Sequence, residues 1–231
     1  MKSILFLIAG LAVLPVSGKE PTIKTEIVTV ALDDLVTGLY FHNGKDISIF
    51  QANPTGLGEP LKYEGPRRFA LRKSEAEFSQ TPPLPAPFAS VMLPQDANRV
   101  LVICSKAAND KVRLVAYDIG SSKIKEGDYR VFNFSRTPVS AILGEAKFAI
   151  KSGSDRVVSH HSWKDEVLEL DVDLAIIRDG KAKRVYSSQW GHRPGRRNFI
   201  FLFDGAQEFS PLRICRFFDV MPAPAAVTAQ R

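Results

Sequence analysis

The stretch Gly127-Asp-Tyr-Arg-Val-Phe-Asn-Phe-Ser-Arg-Thr-Pro-Val-Ser-Ala-Ile-Leu-Gly-Glu-Ala-Lys-Phe-Ala-Ile150 decides the fold class. Tyr129, Val131, Phe132 and Phe134 form a short β-rich run, Ser135 to Pro138 interrupts it, Val139 to Leu143 resumes it, and Gly144 breaks it again before Phe148 and Ile150. This is the pattern of a β-meander. It contains no paired acid and base, no ligand cluster and no phosphate loop, so it informs architecture and not chemistry.

The same punctuation continues outward. Ile23 to Leu32 alternates as a strand; Gly38 to Phe41 and Ile47 to Phe50 flank Asn43-Gly44, a hairpin signal in which both central residues take positive φ. Further strands are expected at Leu61 to Tyr63, Arg67 to Arg72, Phe88 to Leu93, Arg99 to Cys104 and Val112 to Asp118. Lys73 to Phe78 suits one helical turn. Thr81 to Pro87 holds four prolines, which cannot donate to a ladder and favour a stiff crossover over a ligand for a proline-binding module. A composition of 45% hydrophobic residues excludes a mainly disordered chain, and 15 Gly, 15 Pro and 15 Phe favour short strands and turns over long helices.

The two halves can be laid over each other. Gly38-Leu-Tyr-Phe-His-Asn43 matches Gly127-Asp-Tyr-Arg-Val-Phe-Asn133, Arg68 to Leu71 matches Lys147 to Ile150, Asn98 to Ile103 matches Asn198 to Leu202, and Lys111 to Asp118 matches Pro211 to Asp219, each of the last pair ending in Asp. The expectation is an all-β, antiparallel β-sandwich architecture, two tandem immunoglobulin-like units over 19–120 and 121–220, with one larger sandwich as the alternative. A signal peptide over 1–18 and a disordered tail over 221–231 complete the division.

The Gly127 to Val139 run, with Leu143-Gly144, Lys151-Ser-Gly153, Trp190 and Arg197-Asn-Phe-Ile-Phe201, resembles uncharacterised exported all-β proteins of bacteria over about residues 85 to 219. The resemblance implies a secreted β-sandwich and brings no activity, substrate or catalytic residues.

Lys2, the apolar run Ile4 to Val16 and the small-residue site Val16-Ser17-Gly18 read as a signal peptide cleaved before Lys19, which places the product in the periplasm or outside the cell. No later segment is apolar over enough residues to be a transmembrane helix. In that compartment Cys104 and Cys215 can form a disulfide, but both sit in apolar runs and equally suit separate buried thiols.

Catalytic readings are weak. His160-His161 are neighbours that a strand would point to opposite faces, which disfavours a metal site; Leu168, Leu170 and Val172 alternate with Glu169, Asp171 and Asp173, which one wet strand face explains without paired catalytic carboxylates or calcium. No Gly-x-Ser-x-Gly elbow is present. No cofactor is expected. The chain therefore reads as a non-catalytic exported module, with a hydrolase assembled from His160, His161, Glu166 or His192 as the alternative.

One segment suggests a partner. Between Arg178 and Arg197 lie seven basic side chains and one acid, in a chain of formal net charge +6. Two turns, Asp179-Gly180-Lys181 and Gly191-His-Arg-Pro-Gly195, would bring Arg184, Tyr186, Trp190, Arg193, Arg196 and Arg197 to a sheet rim. That combination suits an anionic polysaccharide or lipid head group of the envelope, then another envelope protein, with nucleic acid a distant second. The alternative is a charged strand edge that only prevents aggregation.

Overall fold

The computed structural model describes residues 21–81, 84–107, 109, 111–159, 169–178, 180–207 and 210–220. The expected signal peptide, His160, His161, Trp163, Glu166 and the tail from 221 lie outside these residues. Among the described residues there are sixteen strands, one 3-10 turn at Glu75–Phe78 and no α-helix.

The first eight strands are β1 (Thr22–Ala31), β2 (Val36–Asn43), β3 (Asp46–Ala52), β4 (Leu61–Pro66), β5 (Arg68–Leu71), β6 (Ala89–Met92), β7 (Arg99–Lys106) and β8 (Val112–Asp118). They make a sheet of order β4-β1-β7-β8 and two hairpins, β2-β3 and β5-β6. Tyr40 and Arg72 join the hairpins, each N–H donating to the other's carbonyl at 2.9 Å. The second eight are β9 (Tyr129–Asn133), β10 (Val139–Leu143), β11 (Ala146–Ile150), β12 (Ser154–Val158), β13 (Glu169–Arg178), β14 (Lys181–Gly191), β15 (Arg196–Gln207) and β16 (Ser210–Val220). They form sheets β12-β9-β15-β16 and β11-β10-β13-β14. Both halves share one strand order. In each, the first strand lies between the fourth, antiparallel, and the seventh, parallel. The first and second strands fall in different sheets, whereas the immunoglobulin constant-type order makes them neighbours.

Side-chain alternation then stacks the sheets. On β1, Ile27 and Ala31 enter the core of the first sandwich, with Phe41, Phe50 and Phe69, while Val28 and Val30 point the other way. On β7, Val100, Val102 and Cys104 face that core and Leu101 and Ile103 face away. The mirror arrangement holds in the second half: Tyr129, Val131, Ile200 and Leu202 enter its core with Trp190, and Phe132, Phe199 and Phe201 turn outward. The outward sets meet in one cluster between the inner sheets. Strands buried on both faces read as continuous apolar runs, as Val100 to Cys104 and Phe199 to Phe203 do.

A ring of polar contacts borders this middle layer. Arg99 of β7 pairs with Glu26 at 3.0 Å and with Asp219 of β16 at 2.9 Å. Arg197 pairs with the same Asp219 and donates to the Ile119 carbonyl. Arg130 donates to the Asp118 carbonyl at 2.6 Å, and Arg213 reaches the Leu32 carbonyl at 3.4 Å.

The overlay drawn from sequence is corrected at its front. β7 matches β15 and β8 matches β16, but the counterpart of β9 is β1, not the Gly38 to Asn43 strand, and the counterpart of β11 is β3, not Arg68 to Leu71. The terminal Asp residues are not equivalent either: Asp118 stands opposite Val100 and Asp219 opposite Arg197. The Asn43-Gly44 hairpin also differs in detail. Its loop is Gly44-Lys45, closed by the Asn43–Asp46 pair, and of the loop residues Gly44 has the positive φ, +67°. Asn43 instead docks the hairpin on β4, its Nδ2 donating to the Lys62 carbonyl and its Oδ1 accepting from the Glu64 N–H, both at 2.9 Å.

Candidate anion-binding site

The sandwich end where β14 turns into β15 carries the site. In the β13–β14 hairpin Gly180 takes φ +73°, between the paired Arg178 and Lys181; Asp179 of the expected turn lies outside the described residues. The register slips between Leu174 and Ala175, leaving Val185 as the extra residue; past that bulge the strand is regular, and Tyr186 and Trp190, four residues apart, share a face of β14. Trp190 is 2% exposed and belongs to the core; its indole N–H donates to the Tyr186 hydroxyl at 2.9 Å. Neither aromatic stands on the rim as the sequence suggested.

The basic residues are dispersed as well. Arg184 is exposed further along β14 and lies 3.8 Å from Asp173. Arg197 is 1% exposed, on the opposite face of β15, and is committed to Asp219; burial lowers its pKa from the ordinary value, and Asp219 opposes that shift. It is a structural ion, not a surface ligand. Arg193 and Arg196 remain beside each other, lining a cleft of about 310 Å³ with Gly191, His192, Asn198 and Phe218.

His192 forms the inner wall. It is buried, and its Nδ1 lies 3.1 Å from the Tyr129 hydroxyl, whose pKa burial pushes up to about 12. The outer wall comes from β16, where Leu212, Ile214, Arg216, Phe218 and Val220 share the face directed at the second core. Leu212 and Ile214 pack there. Beyond them the strand outruns the core, so Arg216 is half-buried and Phe218 is 42% exposed. The Arg216 guanidinium lies 4.0 Å from the Trp190 ring and 5.6 Å from the Phe218 ring, which Arg196 also flanks at 5.3 Å. Burial lowers the Arg216 pKa, opposed by the phenols of Tyr129 and Tyr186.

Among the described residues no carboxylate lies within 4.0 Å of Arg193, Arg196 or Arg216. A second cleft, about 290 Å³ at the open end of β7 and β8, differs in this respect: Asp34 pairs with Lys106, and Asp33 accepts the Lys106 N–H at 3.0 Å. Among the described residues there is also no group of three His, Cys, Asp or Glu able to hold a metal ion, and no helix long and apolar enough to cross a membrane. Arg216, Phe218 and Asn198 were not singled out from sequence as site residues, and His192 was named there only for the hydrolase alternative. The signal was present in the alternation Leu212-x-Ile-x-Arg-x-Phe-x-Val220, which stays on the core face after the core ends. Cys104 lies in the first core and Cys215 against the middle cluster, and both thiols are free. No protein-family model matches this chain, and no curated protein matches it.

Proposed function

We propose that the protein is a non-catalytic, exported β-sandwich protein of the bacterial envelope or extracellular space that binds an anionic group at the mouth of its second sandwich. The observation that carries the reading is the cleft at Arg193 and Arg196, concave, beside an exposed aromatic ring, and without a carboxylate partner among the described residues. Export is supported by the N-terminal run and its small-residue site at Val16-Ser17-Gly18. In that setting the chemistry is a carboxylate, sulfate or phosphate, supplied by an acidic polysaccharide or by a lipid head group.

Replacing Arg193 and Arg196 together with Ser tests it. Retention on an immobilised acidic polysaccharide and on phosphatidylglycerol vesicles is measured at low and moderate salt. Loss of retention with an unchanged melting temperature supports the reading, and unchanged retention leaves the arginines as solubility devices only. N-terminal sequencing of the secreted product, expected to begin at Lys19, checks the export half of the proposal.

A further inference from the structure

We propose that Arg216 is a second anion-binding arginine, and that the stack Trp190–Arg216–Phe218–Arg196 binds successive carboxylates along an acidic polysaccharide chain; this rests on the reading just given. Sealing the end of a sandwich needs only apolar side chains. Here the seal contains a half-buried guanidinium, with two more at the same mouth and no carboxylate paired to any of them among the described residues. Like charges gathered in this way repel, so the arrangement favours a counter-charge supplied from outside.

Stacking also fixes geometry. A guanidinium held against a ring keeps its N–H edge free to fork a carboxylate while losing the freedom it would otherwise spend on binding. Arg196 and Arg216 flank one ring at 5.3 and 5.6 Å, so their centres cannot be farther apart than those two distances together. Two fixed positive centres at that spacing suit charges repeated along a chain better than one isolated anion.

Trp190, 4.0 Å from Arg216, reports on the stack. In a Trp163→Phe background, leaving Trp190 as the one tryptophan of the two in the chain, its emission is followed on titration with polygalacturonate, monomeric galacturonate and phosphatidylglycerol vesicles. Polygalacturonate should change the emission saturably, and Arg216→Met should weaken its binding about tenfold, the loss expected for one charge-assisted fork. Monomer should bind far more weakly. Polymer that binds without altering Trp190 emission overturns the proposal whether or not the Met variant folds, as does tighter binding of vesicles than of polymer. If Arg193→Ser with Arg196→Ser abolishes retention while Arg216→Met does not, the cleft stands and the stack falls. If neither polymer nor vesicle is retained by the unaltered protein, both readings fall.

Discussion

The two halves place eight strands in the same order and differ in charge. Residues 22–118 carry 11 basic and 11 acidic side chains, and residues 129–220 carry 15 and 11. One structural position shows the contrast directly. Val100 and Ile200 each stand in the seventh strand of their half with side chains in their own core, and their cross-strand partners are Asp118 and Arg216. Asp118 spends its carboxylate on the Gly120 N–H at 2.9 Å. Arg216 spends its guanidinium on two aromatic rings and, among the described residues, on no carboxylate. Strand order follows from the apolar alternation that both halves share, and the mouth of a sandwich is free to take either charge because the core has ended there.

One residue serves both halves, and its loss should cost the most stability. Asp219 is buried between Arg99 of the first half and Arg197 of the second, and among the described residues the Nε atoms of both arginines already lack partners. Asp219→Asn keeps the shape and removes the charge, leaving two buried guanidiniums without their shared counter-ion, at a cost of about 3–5 kcal/mol. Glu26, on the exposed side of the same network at 42%, is the control: Glu26→Gln should cost less than about 1 kcal/mol. Urea denaturation measures both. Equal effects would mean that Asp219 does not bridge the halves.

Next in size is the middle cluster. Phe201 is fully buried where the inner sheets meet, so Phe201→Ala should cost about 3 kcal/mol or more and lower the midpoints of both halves together. Probes from each half, Trp190 emission and Cys104 exposure to a thiol reagent, should give coincident transitions. Separated transitions would make the halves independent domains that merely touch.

Each half also has a turn glycine in the left-handed region, and the two differ in their surroundings. Gly153 has φ +71° and open space around it, so Gly153→Ala pays the left-handed penalty alone, about 1 kcal/mol. Gly44, at φ +67°, would place a Cβ 2.0 Å from the Glu64 carbonyl oxygen, because the hairpin tip is pressed onto β4. Gly44→Ala should therefore destabilise by roughly 2–3 kcal/mol, the left-handed cost plus that of lifting the tip. A Gly44→Ala effect no larger than that of Gly153→Ala would show that the docking by Asn43 adds nothing.

Local pattern made the all-β class legible, together with the breaks at Gly144, Gly153 and Gly180, all of which take positive φ. It also exposed the seventh and eighth strands of each half, where doubly buried runs such as Val100 to Cys104 leave little ambiguity. What it could not show was pairing between distant strands. The Tyr-Phe pattern at Gly38 to Asn43 resembles Tyr129 to Asn133, but β1 and β9 are defined by lying beside β7 and β15 in parallel, about 70 residues further along. The same gap affected the candidate site. Six residues close in sequence were grouped, and strand alternation then sent Arg197 to the middle layer, Trp190 to the core and Arg184 up the edge. Phe218 reached the cleft, and Arg216 its border, from a strand that the charge run does not include.

Each half holds one cysteine, Cys104 in the first and Cys215 in the second. Burial pushes the Cys104 thiol from an ordinary 9.0 up to about 12, whereas Cys215 is only half-buried on the edge strand β16. An alkylating reagent at pH 8.5 should modify Cys215 first and leave Cys104 untouched until the protein is unfolded. The sign of the pH effect follows from the raised value. Below pH 9 the thiol is protonated in both folded and unfolded chains and stability does not depend on it. As pH rises from 9 toward 12 the unfolded chain ionises and the folded one does not, so the contribution of this group falls by about 1.4 kcal/mol for each pH unit in that window. Cys104→Ser should remove that slope between pH 9 and 10, before the Tyr129 phenol begins to matter above its ordinary 10.0, whatever the substitution costs in absolute stability. A slope that survives in the Ser variant would place the alkaline sensitivity elsewhere, and equal alkylation of both thiols in the folded protein would contradict the burial of Cys104 in the first core.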